Sequence, residues 1–397
     1  ISWVKHAPEQ FSDTYLKFPE SEPGTVYENR DVFQELIDPI RQRNMKLYIR
    51  LYEGWENKRT QKLANWNNVL TVDMYGKRHQ LPCFNHPEFR KWWLSTIENL
   101  LFNYDIDGIQ FGFERSNSLH HVMTGNTVAT CFCDYCKSKA KMNNIDPERA
   151  KEGYIKLYEF LQKVDQQDYK PLIGVFPQVI RIWVEYPEIF AWEKQEHQSK
   201  MEIPALMYGT VKAINPKVEF GLHLPDAVCR NIFTRAAENY HDMTQYSDFQ
   251  KLIVYHEVEG YRMHRDLGIH MNRLFKGVPE DEISNLFFNM FNYNPDDFPP
   301  YKHMADKGLG PQYVYQEIKR CVEDVNGKSN VYAGIGMDIP IGKGWGNQPY
   351  KSDQKQLEMA VAKAFSAGAS GLVASREYEE ISLESLTTFG KAVKAFS

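Results

Sequence analysis

The chain has 397 residues, of which 42% are hydrophobic and 25% charged, and its formal net charge is −5 at pH 7. This balance is typical of a folded globular protein and gives no reason to expect nucleic acid or an anionic membrane surface as a partner. No apolar run approaches the roughly 18–20 residues that a membrane-spanning helix needs. The length suits two average domains or one α/β barrel with loop insertions.

Short apolar segments alternate with longer amphipathic segments along the chain. Seven segments are predicted as buried strands, at residues 1–5, 45–51, 108–113, 218–222, 252–255, 331–335 and 371–374. Helices are predicted to begin beside the capping residues Asp31, Asp146 and Asp353, at Pro87 and near Leu383, and the segment 171–214 is predicted to be mostly helical. Residues 56–84 are predicted to form a long polar loop.

Alternating strands and helices are typical of βαβ units around a parallel sheet. We therefore predict a single (β/α)8 TIM barrel over 1–397, with a Cys-rich loop insertion at about 115–145. The eighth strand is expected upstream of Ile1, because the chain begins without Met inside a predicted strand. A doubly wound open sheet is the alternative, but no G-x-G-x-x-G turn follows any predicted strand.

Acidic residues follow the predicted strands, where barrel enzymes keep their catalytic groups. They are Glu53, Glu114, Asp226, Glu257, Asp338 and Glu377. Glycoside hydrolysis needs two carboxylates that face each other across the scissile bond. Glu114 is the strongest candidate, because it ends the most apolar strand. Cationic and aromatic side chains at the same ends are expected to offset the negative charge or to contact a sugar: Arg115, His223, His256, Arg376, Tyr378, Trp55 and Trp345.

Three cysteines lie within six residues, at Cys131, Cys133 and Cys136. A tetrahedral zinc site needs a fourth ligand, and Cys83 is the best placed, in the loop before the helix that leads into the strand 108–113. Four thiolates would fill the coordination sphere, so the zinc is expected to be structural. Free or disulfide-bonded cysteines are the alternative.

A strand that ends in an acidic residue, followed by C-x-C-x-x-C and preceded by one earlier Cys, resembles the family 42 glycoside hydrolases, the β-galactosidases. The stretches 107–115 and 371–378 also resemble glycosidase-like barrel proteins of bacteria. The resemblance implies a (β/α)8 barrel, Glu114 as acid/base and zinc on the four cysteines. Phe113 stands where that family has Asn. Asp338 stands near the family's nucleophilic Glu, a role that Glu257 or Glu377 would otherwise fill.

The sequence thus predicts a retaining glycoside hydrolase, with Glu114 as general acid/base, Asp338 as partner carboxylate and Glu257 in reserve. Its substrate is expected to be a glycoside or oligosaccharide, bound by Arg115, His223, Arg376, Tyr378, Trp55 and Trp345. A carbohydrate-binding barrel without hydrolase activity is the alternative, and a barrel lyase or metal-dependent hydrolase would need a His cluster that the sequence lacks. A homo-oligomer is expected from related barrels, and the sequence leaves a periplasmic, secreted or cytoplasmic location open.

Overall fold

The computed structural model describes residues 6–17, 31–52, 63–112, 115, 117–125, 127–167, 169–340, 351–376 and 380–396, without the side chains of 167, 226 and 227. The predicted strand 1–5 lies outside the described residues. The other six predicted strands are confirmed. The strands are β1 (Tyr48–Tyr52), β2 (Leu70–Val72), β3 (Arg78–Pro82), β4 (Gly108–Gly112), β5 (Glu219–Leu224), β6 (Phe249–Ile253), β7 (Asn330–Gly336) and β8 (Gly371–Ser375).

Fifteen α-helices lie among the described residues. They are α1 (Val32–Arg41), α2 (Pro87–Asn103), α3 (Ser118–Thr124), α4 (Asp134–Met142), α5 (Pro147–Gln167), α6 (Val175–Glu185), α7 (Glu188–Ile214), α8 (Ile232–Ala237), α9 (Tyr240–Met243), α10 (His256–Leu274), α11 (Glu280–Met290), α12 (Tyr301–Lys307), α13 (Pro311–Val325), α14 (Gln354–Ser366) and α15 (Leu383–Lys394). None of the helices in this part of the chain is long and apolar enough to cross a membrane.

The predicted helix starts are confirmed by their capping hydrogen bonds. The side chain of Asp31 accepts a hydrogen bond from the amide of Gln34 at 3.1 Å, and Asp353 accepts one from Gln356 at 3.0 Å. Such caps satisfy amides that have no partner within the first turn of a helix. The spacing of capping and apolar residues therefore located these helices correctly.

The long loop predicted for 56–84 is wrong in its second half, which forms an antiparallel hairpin of β2 and β3. Asp73 stabilises the turn between β2 and β3, because its Oδ1 accepts hydrogen bonds from the amides of Tyr75 at 2.8 Å and Lys77 at 2.9 Å. Gly76 has a φ of +85° in this turn. The first three residues of β3 are polar and alternate between exposed and partly buried, so the strand lacks the apolar run by which the other strands were recognised.

The six remaining strands form one parallel sheet in the order β1-β4-β5-β6-β7-β8. β1 pairs with β4 from Tyr48↔Gly108 to Tyr52↔Gly112. β7 pairs with β6 on one side, with Lys251 opposite Tyr332, and with β8 on the other, with Tyr332 opposite Gly371. The protein is therefore a mixed α/β protein with a parallel sheet, and the closed eight-stranded barrel remains a prediction.

The chain divides into two compact units, Ile1–Phe160 with Arg181–Leu222 and Leu161–Ile180 with His223–Ser397. The first unit contains β1–β4 and the four clustered cysteines. The second contains β6–β8 and the two described candidate carboxylates, Glu257 and Asp338. A single barrel domain over 1–397 stays a prediction.

Candidate functional site

Two of the predicted catalytic carboxylates, Glu257 and Asp338, have described side chains. The other candidates at strand ends lie outside the described residues or have no described side chain: Glu53, Glu114, Asp226, Glu377, Trp55, Trp345 and Tyr378. The described candidate residues lie in two separate places, the ends of β6 and β7 in the second unit and the cysteine cluster in the first.

Asp338 follows β7 with a φ of +53° and is 5% exposed. Its Oδ1 accepts hydrogen bonds from the amide of Ser352 and the hydroxyl of Ser385, each at 2.9 Å, and its Oδ2 accepts one from the amide of Ser382 at 2.7 Å. Burial raises the pKa of Asp338, but these hydrogen bonds outweigh it and the net pKa lies below the usual value. Asp338 is thus an ionised carboxylate that ties the end of β7 to the segments before α14 and α15.

Glu257 lies in the first turn of α10, just after β6, and is 8% exposed. Its Oε2 accepts a hydrogen bond from the hydroxyl of Ser352 at 2.7 Å, and its Oε1 accepts one from the amide of Asp353 at 3.0 Å. Because Ser352 contacts both carboxylates, Glu257 and Asp338 belong to one hydrogen-bonded network. The structure therefore brings together the two described candidates of the sequence prediction.

The cationic side chains expected at the strand ends have different environments. Burial lowers the pKa of His256 to about 4, so its imidazole is neutral near pH 7. The prediction that His256 offsets the negative charge of the carboxylates is therefore wrong at this pH. His223, on β5, is 1% exposed. Arg376 follows β8 and forms an ion pair with Glu380, with its Nη2 2.9 Å from Glu380 Oε1.

Arg115 contacts the residues on either side of Cys83. Its Nη1 donates a hydrogen bond to the carbonyl of Pro82 at 2.9 Å, and its guanidinium carbon lies 4.1 Å from the centroid of the Phe84 ring. Its own carbonyl accepts a hydrogen bond from Lys200 Nζ at 3.2 Å. The residue that follows Glu114 in the sequence is therefore anchored through both its side chain and its backbone.

The structure brings the four predicted cysteines into one cluster, with sulfur atoms within 4.8 Å of one another: Cys83, Cys131, Cys133 and Cys136. Cys83 Sγ lies 3.4 Å from Cys136 Sγ and 3.5 Å from Cys133 Sγ, and all four are free thiols. Tetrahedral Zn–S bonds of about 2.3 Å place sulfur atoms roughly 3.8 Å apart. The donor set therefore fits a metal ion bound by four thiolates.

Backbone and side-chain donors point at these sulfur atoms. The amide of Val72 donates to Cys131 Sγ and the amide of Asn85 donates to Cys83 Sγ, both at 3.4 Å. Asn85 Nδ2 donates to Cys136 Sγ at 3.3 Å. Donors of this kind stabilise thiolates and orient metal ligands. Cys83, Cys131 and Cys136 thus each accept a hydrogen bond from a nearby N–H group.

Two cationic side chains lie next to Asn85, and their positive charge compensates for the negative charge of a site made of cysteine thiolates. Asn85 Oδ1 accepts hydrogen bonds from Arg90 Nη2 and Lys139 Nζ, each at 3.2 Å. Both cations also pair with Glu202, at 2.5 and 2.6 Å. Because its oxygen faces the cations, the amide of Asn85 turns its nitrogen towards Cys136. Three helices therefore help to position the cluster: α2 with Arg90, α4 with Lys139 and α7 with Glu202.

A small cavity of about 20 Å³ borders the cysteine cluster, which is room for roughly one water molecule. Arg115 and Glu196 are among its lining residues. On α7, one turn before Glu196, the buried Glu193 accepts hydrogen bonds from the amide of Leu119 at 2.7 Å and from the hydroxyl of Tyr154. Burial raises the pKa of Glu193 to about 7 and raises that of Glu196 as well.

Glu193 and Lys251 are among the buried charged residues that sequence reasoning missed, and it also missed the half-buried Glu196, which lies near Glu193 on α7. The two glutamates lie inside a long helix, where an acidic residue normally indicates a solvent-facing side, and no local signal marks them. Lys251 had a signal, because it interrupts the strand segment Phe249–Ile253. The predicted strand began only at 252, since a lysine breaks an apolar run, and the lysine itself was overlooked.

No protein-family model matches the sequence, and no curated protein matches it. Among solved structures, the chain is similar to the PgaB (BpsB) glycoside hydrolase domain from Bordetella bronchiseptica, with a TM-score of 0.53 and 10% identity over 98% of this chain and 85% of that chain. It is also similar to a β-galactosidase from the haloarchaeon Halorubrum lacusprofundi, with a TM-score of 0.53 and 12% identity over 96% of this chain. The chain spans 53% of that enzyme's length.

These likenesses establish the class of fold. At such low identities they show an α/β architecture shared with glycoside hydrolases, and they do not extend to catalytic residues or substrates. The link to family 42 in particular remains a prediction from the sequence motifs.

Proposed function

We propose that this protein is a glycoside hydrolase that acts on a carbohydrate with a pair of carboxylates. The observation that carries the proposal is the fold likeness to the PgaB glycoside hydrolase domain, which extends over 98% of this chain. Acidic residues after the parallel strands supply the chemistry that this reaction requires.

In the proposed reaction, Glu114 is the general acid that protonates the glycosidic oxygen as the bond to the anomeric carbon breaks. A second, ionised carboxylate attacks that carbon, and Glu114 then removes a proton from the water that releases the sugar. This is the retaining course. It requires about 5–5.5 Å between the two carboxyl groups, whereas about 6.5–9.5 Å would leave room for an inverting water.

Of the two described candidates for the second carboxylate, we favour Glu257 over Asp338. Three hydrogen bonds already fill most of the acceptor capacity of the Asp338 carboxylate. Glu257 lies in the first turn of α10, where the aligned amides of the helix stabilise an ionised carboxylate. In this proposal Asp338 holds Ser352, and Ser352 orients Glu257.

We further propose that the four cysteines bind zinc with a structural role. A bound zinc ion would cross-link the segment after β3 to the segment that contains Cys131, Cys133 and Cys136. Arg115 contacts the residues on both sides of Cys83, so the chain after Glu114 is attached to the same support. The remaining substrate contacts, by His223, Arg376, Tyr378, Trp55 and Trp345, stay proposals.

The test is a panel of aryl glycosides and oligosaccharides with the wild type, Glu114→Gln, Glu257→Gln and Asp338→Asn. We expect Glu114→Gln to lower kcat/KM by about 10²–10⁴-fold for poor leaving groups. The loss should be smaller for acidic leaving groups, because they need less protonation. The exposed Glu323→Gln on α13 is the matched control.

Two results would overturn this proposal. Equal activity of the wild type and Glu114→Gln would remove the acid role. Saccharide binding without hydrolysis of any member of the panel would favour the carbohydrate-binding alternative.

A further inference from the structure

The short link between α12 and α13 has a backbone conformation that only glycine adopts readily. It consists of Gly308, Leu309 and Gly310. Gly308 has a φ of +70° and a ψ of −167°, and Gly310 has a φ of +75° and a ψ of 174°. A side chain is strained in this region of backbone conformation. The two glycines therefore determine the path that the link takes.

This path brings the link against the first turn of α10. The amide of Leu309, which is 1% exposed, donates a hydrogen bond to the carbonyl of His256 at 2.7 Å. A methyl group at Gly308 would lie 2.5 Å from that carbonyl oxygen and 2.7 Å from Cα of Glu257. No side chain fits at such distances. Gly308 thus lets the backbone of the link touch the backbone of Glu257.

Gly260 provides the same room from the side of α10. It lies three residues after Glu257, inside the helix. A methyl group at Gly260 would lie 2.3 Å from the carbonyl oxygen of Met304 and 2.5 Å from Cα of Gly308. Glycine weakens the interior of a helix relative to alanine. The close approach of the two backbones accounts for a glycine at this position.

The connection from β6 to α10 has little length in which to absorb a shift of the helix. β6 ends at Ile253 and α10 begins at His256. Between them, Tyr255 has a φ of −76° and a ψ of 72°, and the amide of His256 donates to the carbonyl of Val254 at 2.8 Å. These are the features of an inverse γ-turn. A displacement of the first turn of α10 would therefore move Glu257 with it.

Glu257 is held from two sides by separate parts of the chain. Its carboxylate accepts hydrogen bonds from the hydroxyl of Ser352 at 2.7 Å and from the amide of Asp353 at 3.0 Å. Its backbone is in contact with Gly308. The first set of contacts orients the carboxylate, and the second fixes the backbone from which the carboxylate extends.

We propose that Gly308 is a positioning residue, which keeps the carboxylate of Glu257 in line with the anomeric carbon of the substrate. The inference rests on the proposed function and on the role given there to Glu257. A displacement of about 1 Å at a reacting atom costs on the order of 10²-fold in rate. A side chain at position 308 should therefore lower kcat, whereas KM should change little because no substrate contact is removed.

The contact itself is tested by thermal unfolding, without any activity measurement. Gly308→Ala is compared with Gly327→Ala, since Gly327 also has a positive φ, of +73°, but a methyl group there meets nothing within 4 Å. We expect Gly308→Ala to lower the unfolding midpoint by about 3 °C or more beyond its control. Equal falls in the two variants would show that the link is not in close contact with α10.

The positioning role is tested by kcat and KM for an aryl glycoside, well below the unfolding midpoint. We expect Gly308→Ala to lower kcat by about 10–100-fold and to change KM by less than about 3-fold, while Gly327→Ala retains the activity of the wild type. An unchanged kcat in Gly308→Ala would overturn the proposal.

Gly260→Ala reaches the same contact without a positive φ and covers a failure of Gly308→Ala to fold. It should lower kcat in the same way. Its matched control is Gly209→Ala on α7, where a methyl group in a helix meets nothing within 4 Å. Activity of Gly260→Ala equal to that of Gly209→Ala would contradict the proposal.

A double-variant cycle separates positioning of Glu257 from a general structural role. Gly308→Ala is introduced into Glu257→Ala, with azide added as a substitute nucleophile. Azide forms the bond to the anomeric carbon as the aryl group leaves with the electrons of the glycosidic bond. We expect Gly308→Ala to lower this rate by less than about 3-fold, because the carboxylate that it displaces is gone. An undiminished effect would show that Gly308 acts elsewhere.

The outcomes distinguish this inference from the proposed function. If the wild type hydrolyses glycosides and Glu257→Gln is equally active, the role of Gly308 fails while the hydrolase function stands. If the wild type hydrolyses no glycoside, the proposed function fails and the positioning role fails with it.

Discussion

Asp338 and Ser352 are joined by a reciprocal pair of hydrogen bonds. The amide of Ser352 donates to Asp338 Oδ1 and the amide of Asp338 donates to Ser352 Oγ, each at 2.9 Å. The hydroxyl of Ser352 in turn donates to Glu257 at 2.7 Å. One serine therefore connects the ends of β6 and β7, and this connection is the basis of the first two predictions.

Ser352→Ala should lower the free energy of unfolding by about 2–3 kcal/mol, because it leaves a buried amide and a buried carboxylate each without one hydrogen bond. Urea-induced unfolding measures this loss. Ser329→Ala is the matched control, since the Ser329 hydroxyl makes a single long hydrogen bond of 3.4 Å to the carbonyl of Ser247. A loss no larger than that of the control would contradict the role given to Ser352.

Asp338→Asn should destabilise the protein in a pH-dependent way. The pKa of Asp338 is lowered in the folded state, so its ionised form stabilises the fold above the ordinary value of 3.8 and this contribution is lost as the pH falls below it. The difference between the wild type and the variant should therefore be largest near pH 7 and shrink below about pH 4. Exposed Asp306→Asn is the control. A difference that stays constant from pH 7 to pH 3 would contradict the prediction.

Glu193→Gln should make stability less dependent on pH between about 4.5 and 7. The pKa of Glu193 is raised from 4.5 to about 7, so the folded state retains a proton that the unfolded state loses, and the wild type loses stability as the pH rises through this range. The variant has no carboxylate to titrate at this position, so its stability does not fall for this reason. Between pH 4.5 and pH 8 its free energy of unfolding should therefore rise relative to that of the wild type by on the order of 2–3 kcal/mol.

The measurement is the urea midpoint across this pH range. Glutamine retains an oxygen that can accept the hydrogen bond from the amide of Leu119, so the substitution changes mainly the charge. Exposed Glu185→Gln, on α6, is the control. Parallel pH profiles of the wild type and Glu193→Gln would show that the carboxylate titrates at its ordinary pKa.

The cysteine cluster should bind one zinc ion per chain. Cys133→Ser should abolish this stoichiometry in elemental analysis, whereas Cys321→Ser, which changes a buried cysteine outside the cluster, should not.

Asn85→Ala should weaken zinc binding by about 10–100-fold, because it removes a donor to Cys136 and the link to Arg90 and Lys139. Competition with a chromophoric chelator measures this, with exposed Asn67→Ala as control. An unchanged affinity in Asn85→Ala would exclude its supporting role.

Local signals located most elements of this protein. Asp31 and Asp353 cap helices where the sequence places them, and the strand that begins at Gly108 was recognised from its apolar run. The hairpin of β2 and β3 was missed because its polar alternation resembles a loop. β6 was predicted three residues late, because Lys251 interrupts its apolar pattern.

The sequence by itself determined the alternation of strands and helices, the positions of the helix starts and the cysteines suited to a metal site. These properties depend on side-chain periodicity, on caps within a few residues and on ligand type. Only the tertiary structure decided that Ser352 joins Asp338 to Glu257, and that Gly334 gives Lys251 its buried place. The contact between Ser352 and Glu257 joins residues 95 apart in the chain, and Lys251 and Gly334 lie on neighbouring strands. Only the packing of separate elements brings such residues together.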